Sequence, residues 1–313
     1  MNARWYLMLL CIAATGCDPG AGPERRTLTP REGSYGEIRN YVSFGDSIVA
    51  GYCGWYCQED SYAVHMGQGL ADRDKLRIEY FGRGESGALM EEIADEVAAN
   101  HELLATADLI TLEGCGNDYL EARDTYKGQA DCTNGKPIAK ALETCKTNMT
   151  RALDEIKAVA KPSANVVVMT LYYPTVAEDK GNSCGTASHF DLFLPFLLQS
   201  NWWTCNEAWK RGYQCVDAMS VMNAADIDAD ANQIVDSEQI RMKAALDEDN
   251  MPTYQARIAN NHSVLADGHA KIDADAVPDD YLQSDSKHPS QQGHQGLAAA
   301  HLALIPRTPL LTQ

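Results

Sequence analysis

Ser47 follows a short apolar run, Tyr41-Val42-Ser43-Phe44, and stands in Gly45-Asp46-Ser47-Ile48. Such a run reads as a strand. Gly-Asp-Ser reads as a sharp turn that leaves a hydroxyl at the strand's carboxyl end, where open α/β sheets place their chemistry. A serine there becomes a nucleophile only with a base, a group that orients the base, and donors for developing negative charge. His288 offers an imidazole near the other end of the chain, and Asp285, three residues before it, can hold the imidazole tautomer. Gly87, in Gly84-Glu85-Ser86-Gly87, offers a backbone N–H with no side chain in the way. Asn117, in Gly116-Asn117-Asp118, offers a side-chain amide. With the Ser47 N–H these make a candidate three-donor oxyanion hole. Singly, each has an ordinary structural reading: a turn serine, a loop cap, a local Asp-His pair. Acyl transfer through Ser47 is the one chemistry that needs all five in these places.

The elements that must position them alternate. Leu76 to Phe81 reads as a second strand, running into the glycine-rich turn that ends at Gly87. Asp108 to Glu113 is a third strand, ending at the Asn117 turn, and Asn165 to Tyr173 is the most apolar one, stopped by Pro174. Between them lie helical patterns: from an Asp60 or Ser61 cap through Leu70, over Ala88 to Leu104, and over Ile138 to Ala160. Gln214 to Met219 is a candidate last strand, Ser237 to Ile258 a helix broken at Pro252, and Ser290 caps a closing helix through Leu304. Four strand–turn–helix units in alternation imply an α/β fold, a parallel sheet with helices on both faces.

At these residues the sequence resembles the SGNH or GDSL hydrolases, a superfamily of esterases and lipases. The matching blocks are Gly45-Asp46-Ser47-Ile48, Gly84-Glu85-Ser86-Gly87, Gly116-Asn117-Asp118 and Asp285-Ser286-Lys287-His288-Pro289, in family order between about Tyr41 and Leu304. Ile48 replaces the usual leucine. The resemblance implies a flavodoxin-like three-layer α/β/α sandwich with a central parallel sheet. Carried over by position, Ser47 is the nucleophile, His288 the base and Asp285 its orienting carboxylate. Ser47, Gly87 and Asn117 form the oxyanion hole. The reaction implied is cofactor-free hydrolysis of small-molecule or lipid carboxylic esters. The same parts also serve polysaccharide or cell-wall O-acetylesterases. A non-catalytic surface binding module would show a broken triad, and none of the three residues is missing.

The chain has 313 residues, 45% of them hydrophobic and 22% charged, ordinary for a globular protein. A net charge of -18 argues against nucleic-acid binding, which needs a basic surface. Residues 1–17 read as an export signal: Arg4, then apolar Trp5 to Ala14, then Ala14-Thr15-Gly16-Cys17. Small residues before Cys resemble a bacterial lipoprotein signal, with Cys17 lipidated and anchored to a membrane of the cell envelope; an ordinary secretory signal is the alternative. Asp18 to Glu37, rich in Gly, Pro and charge, reads as a flexible tether, followed by one hydrolase domain over residues 38–313. Of ten cysteines, Cys11 and Cys17 fall in the leader. The even remainder in an exported chain reads as disulfides. Proximity suggests Cys53–Cys57, Cys132–Cys145 and Cys205–Cys215, leaving Cys115–Cys184.

Three further features compete for attention. Gly181-Asn182-Ser183-Cys184-Gly185 matches a nucleophile elbow, but the strand stops at Pro174 and a polar stretch, Val176 to Ser188, intervenes; Ser183 reads as a loop residue. Asp226, Asp228 and Asp230 alternate like the start of a calcium loop, making calcium the one candidate cofactor. Ala231 and Ser237 depart from the EF-hand pattern there, and a solvated acidic loop is the plain alternative. The apolar run Phe190 to Trp209 reads as a core helix or as an acyl-binding wall or lid, within a long insertion over residues 172–280.

Overall fold

A computed structural model of the chain describes residues 24–52, 59–128, 135–184, 187–223, 282–283 and 287–307. The leader with Cys17, the Cys53–Cys57 pair, the acidic loop of Asp226, Asp228 and Asp230, the Ser237–Ile258 helix and Asp285 lie outside these residues.

The elements follow in alternation: β1 (Glu24–Leu28), β2 (Glu37–Gly45), α1 (Ser47–Ala50), α2 (Tyr62–Asp74), β3 (Leu76–Gly84), α3 (Met90–Ala99), α4 (His101–Thr106) and β4 (Leu109–Leu112). Then come α5 (Gly116–Lys127), α6 (Lys136–Val159), β5 (Asn165–Met169), α7 (Val176–Gly181), β6 (Ser183–Cys184), β7 (Ala187–Ser188), α8 (His189–Lys210), β8 (Gln214–Val216), α9 (Ala218–Met222) and α10 (Gln291–Leu304). Six strands form one sheet in the order β1-β3-β2-β4-β5-β8. Every pairing is parallel except that of β1 with β3.

The period of two along each strand builds two cores. Val42, Phe44, Ile110, Leu112, Val166 and Val168 face one, packed with α3, α5, α6 and α8. Tyr41, Ile78, Tyr80, Leu109, Val167 and Met169 face the other, packed with α2, α9 and α10. The result is a three-layer α/β/α arrangement. The chain leaves β2 to one side for β3 and returns to the other side for β4. A crevice therefore opens at the carboxyl ends of β2 and β4, where strand order reverses.

Local signals hold at the helix starts. The Ser61 hydroxyl accepts from the Val64 N–H at 3.4 Å, and the Ser290 hydroxyl from the Gly293 N–H at 3.2 Å. Elsewhere neighbours override the local pattern. The stretch read as a tether contains β1, whose Glu24 to Leu28 find an unpaired edge on β3. The Ala88–Leu104 helix is two, broken at Asn100, whose ψ of 37 is non-helical. The strand expected to reach Tyr173 ends at Met169, because two asparagines take over its backbone groups. Asn201 bonds both the N–H and C=O of Leu171 (3.0 and 2.7 Å), and Asn223 those of Tyr173 (2.8 and 3.0 Å). The Val176–Ser188 stretch holds α7 and a two-stranded ribbon, and the expected last strand is β8 followed by α9.

Two disulfides join described residues. Cys205–Cys215 follows the expected pairing, tying α8 to β8. Cys115 pairs with Cys145, which overturns both Cys132–Cys145 and Cys115–Cys184. The reason is spatial: α6 packs beside the β4–α5 turn, bringing residues 30 apart in sequence within 5.5 Å at Cα.

α10 packs on α2 through two fully buried histidines. The Tyr62 N–H donates to His294 Nδ1 at 3.2 Å, and His301 stacks on the Tyr62 ring at 4.6 Å between centroids. Burial draws His294 down to about 3, with help from His65 and His288, and draws His301 down to about 4. An unfolded chain protonates these rings near pH 6.5 while the native state keeps them neutral. Their stabilising share is therefore complete above pH ~6.5 and is lost as pH falls toward the folded values. The wild type is expected to lose more melting temperature than His301→Gln between pH ~6.5 and ~5, where ordinary carboxylates hardly titrate. Parallel losses in calorimetry would remove His301 from the acid response.

Candidate active site

Ser47 opens α1 directly after β2. Asp46 caps that helix, its Oδ1 accepting from the Ile48 N–H at 2.9 Å. A four-residue helix this short needs fixing at both ends. Its far end is closed by Gly51, whose φ of 68 suits glycine. Gly45 and Gly84 permit close approach: a Cβ on the first would overlap the Glu113 carboxyl, and one on the second the Ala50 backbone.

Gly87 lies at the third position of the turn Glu85–Ala88, which is closed by an Ala88 N–H to Glu85 C=O bond of 3.1 Å. Its φ of 83 matches a type II turn, which asks for glycine there. A Cβ at Gly87 would meet nothing within 4 Å, so backbone conformation and not space is what requires glycine. Asn117 stands in the first turn of α5, beyond Cys115, whose φ of 76 is left-handed. The Asn117 amide donates to Ala88 C=O at 3.0 Å and, at a longer 3.4 Å, to Asp46 Oδ2. Asp118, the next residue, accepts from the Met90 N–H at 2.9 Å and holds the start of α3. The three glycine-containing turns after β2, β3 and β4 are thus bonded to one another.

His288 completes the cluster, its Nε2 lying 2.9 Å from Ser47 Oγ. Its segment is clamped from several sides. Leu282 bridges Pro289, and the Gln283 N–H donates to His288 C=O at 2.8 Å. The Gln283 side-chain amide donates to Tyr52 C=O at 2.7 Å and Pro289 C=O at 2.9 Å. The Tyr172 hydroxyl donates to Lys287 C=O, and the Tyr52 ring lies 4.5 Å from the imidazole. Ser47, Gly87, Asn117 and His288 are therefore brought together, and Asp285 lies outside the described residues.

These four border a cavity of about 440 Å³. Its lining includes the apolar Leu120, Ile138, Leu171, Phe193 and Leu197 and the Tyr172 ring, beside the charged Glu121, Asp124 and Lys287. The Phe190–Trp209 run is thus a core helix, α8, that also lends Phe193 and Leu197 to the cavity. Arg123 borders it as well, but its charge is met by Asp179 at 2.7 and 2.9 Å and by Glu178 at 2.8 Å. Ser183 is exposed on the β6–β7 ribbon, which gives the elbow motif no strand-to-helix turn. Among the described residues no His, Cys, Asp and Glu group is arranged to hold a metal.

Sequence reasoning missed Glu113, Gln283 and Tyr172. Only Glu113 left a trace, as a carboxylate closing an otherwise apolar strand; it is 1% exposed and accepts the Asp46 N–H at 2.7 Å.

Residues 43–192 match the model of the GDSL-like lipase/acylhydrolase family. Over those residues the chain carries a GDSL-like lipase/acylhydrolase domain. Among solved structures, a lipase from a goat rumen metagenome superimposes with a TM-score of 0.58 at 16% identity, over 85% of this chain and 96% of that one. A lipase/acylhydrolase from Enterococcus faecalis gives 0.47 at 15% identity, over 84% and 93% of the two chains. An acetyl xylan esterase from Geobacillus stearothermophilus gives 0.48 at 16% identity, over 88% and 99%. No curated protein matches the sequence.

If Gln283 clamps the histidine segment, Gln283→Ala will speed amide hydrogen exchange around His288 while β2 and β4 stay protected. Exchange at the wild-type rate would show that the other contacts suffice.

Proposed function

We propose that this chain is a serine esterase or lipase that hydrolyses carboxylic acyl esters. The observation that carries the reading is the 2.9 Å hydrogen bond between Ser47 Oγ and His288 Nε2 on the lining of a cavity with a largely apolar wall. His288 takes the Ser47 proton as Oγ attacks the ester carbonyl, and returns it to the departing alkoxide. Water, activated by the same imidazole, then cleaves the acyl-enzyme. Asp285 holds the imidazole orientation. The oxyanion is received by the Ser47 N–H, which as the first of a helix has no intrahelical acceptor, by the Gly87 N–H, and by Asn117. The Asn117 amide has two hydrogens. The one engaged at 3.0 Å to Ala88 keeps it in place, and the one on the long 3.4 Å contact turns to the oxyanion.

The apolar walls support an acyl chain as the group bound, in preference to acetyl on a polar sugar. The Cys115–Cys145 and Cys205–Cys215 disulfides support export to an oxidising compartment, which goes with lipidation at Cys17.

The test is hydrolysis of p-nitrophenyl esters from acetate to palmitate by the oxidised protein and its variants. Ser47→Ala should abolish turnover. Asn117→Ala should lower kcat by about 10²–10³-fold, the usual cost of one oxyanion donor. Medium or long acyl chains should be preferred over acetate. Turnover unaffected by Ser47→Ala would overturn the reading, and an acetate optimum would favour an acetylesterase.

A further inference from the structure

Glu113 is a buried carboxyl group that the reaction just described leaves unused. It directly follows β4, next to the turn that carries the nucleophile, and reaches across to Asp46 after β2. Its Oε1 accepts the Asp46 N–H at 2.7 Å. The Glu113 carboxyl therefore sits against Asp46, and the two side chains are 1% and 2% exposed. Two carboxylates this close and out of water cannot both be charged, so one of them must carry a proton. Gly45 is the accommodation for this contact, since a Cβ there would overlap the Glu113 carboxyl.

The neighbours decide which group is the acid. Asp46 accepts from the Ile48 N–H at 2.9 Å and from the Asn117 amide at 3.4 Å. Both favour the anion. Glu113 faces Asp46 and, from α2, the Tyr62 hydroxyl, which burial raises well above its ordinary range and so keeps neutral. Burial, and then the Asp46 charge, raise Glu113 well above the usual carboxylate range. Burial raises Asp46 too, and its donors oppose that rise without cancelling it.

We propose that Glu113 is a positioning residue: a neutral carboxylic acid whose O–H holds the Asp46 carboxylate, and through it both Ser47 and Asn117, in working register. The inference rests on the serine esterase reading for its kinetic consequence. Loss of the Glu113 proton puts a second negative charge beside the site where the oxyanion forms. Turnover therefore falls as pH rises through the Glu113 titration.

Two measurements test this, one of them without substrate. Infrared difference spectra of the purified protein at neutral pH should show a protonated-carboxyl band that Glu113→Gln lacks. In ester hydrolysis, Glu113→Ala should lose roughly 10²-fold in kcat with KM little changed, the scale of a misplaced reacting group. Glu113→Gln can still accept from Asp46 N–H and donate to its carboxylate, and should restore most of that loss. The glutamine variant should also lack the alkaline fall in kcat seen in the wild type. A missing infrared band, an alkaline fall that persists in Glu113→Gln, or wild-type kcat in Glu113→Ala would each overturn the proposal. A wild type with the band but no esterase activity would sink the functional reading and leave the proton-sharing pair standing.

Discussion

The site depends on one buried carboxylate. Asp46 caps the short helix that carries Ser47, approaches the Asn117 amide, and is seated by Glu113 from the neighbouring strand. A charge out of water costs several kcal/mol unless hydrogen bonds replace its hydration. That cost fixes the surroundings: the donors must be present and must point inward. Satisfying Asp46 therefore draws the ends of β2 and β4 together and sets the spacing between the Ser47 turn and the Asn117 turn.

The architecture makes this arrangement available. Parallel strands deliver their carboxyl ends to one edge, and reversal of strand order between β2's two neighbours opens a crevice there. Four turns converge on it, each fastened to another by backbone or amide hydrogen bonds. Glycine appears in these turns for two different reasons. At Gly87 the backbone needs positive φ, whereas at Gly45 and Gly84 another chain segment lies where a side chain would be.

The histidine is held differently. Its segment comes from far along the chain and is secured by side chains of other elements: Gln283 onto Tyr52, and Tyr172 onto Lys287. The Cys115–Cys145 bridge ties the left-handed Cys115 to α6, so that the turn bearing Asn117 is anchored in the helical layer as well as in the sheet.

The sequence by itself determined the alternation of strands and helices and the serine caps at residues 61 and 290, and it singled out Ser47, Gly87, Asn117 and His288, which the fold brings to one cavity. These are legible because they rest on short-range physics: period-two burial, side-chain capping, and turns that demand particular residues. Tertiary structure decided what depends on neighbours distant in sequence. It recruited Glu24–Leu28 to a free strand edge and ended β5 where Asn201 and Asn223 satisfy the backbone. It paired Cys115 with Cys145, and it set Glu113 against Asp46. In each case the deciding term is a hydrogen bond, a covalent bond or a buried charge whose partner lies on another element. No local pattern records such a partner, because it is chosen by packing of the sheet and its two helical layers.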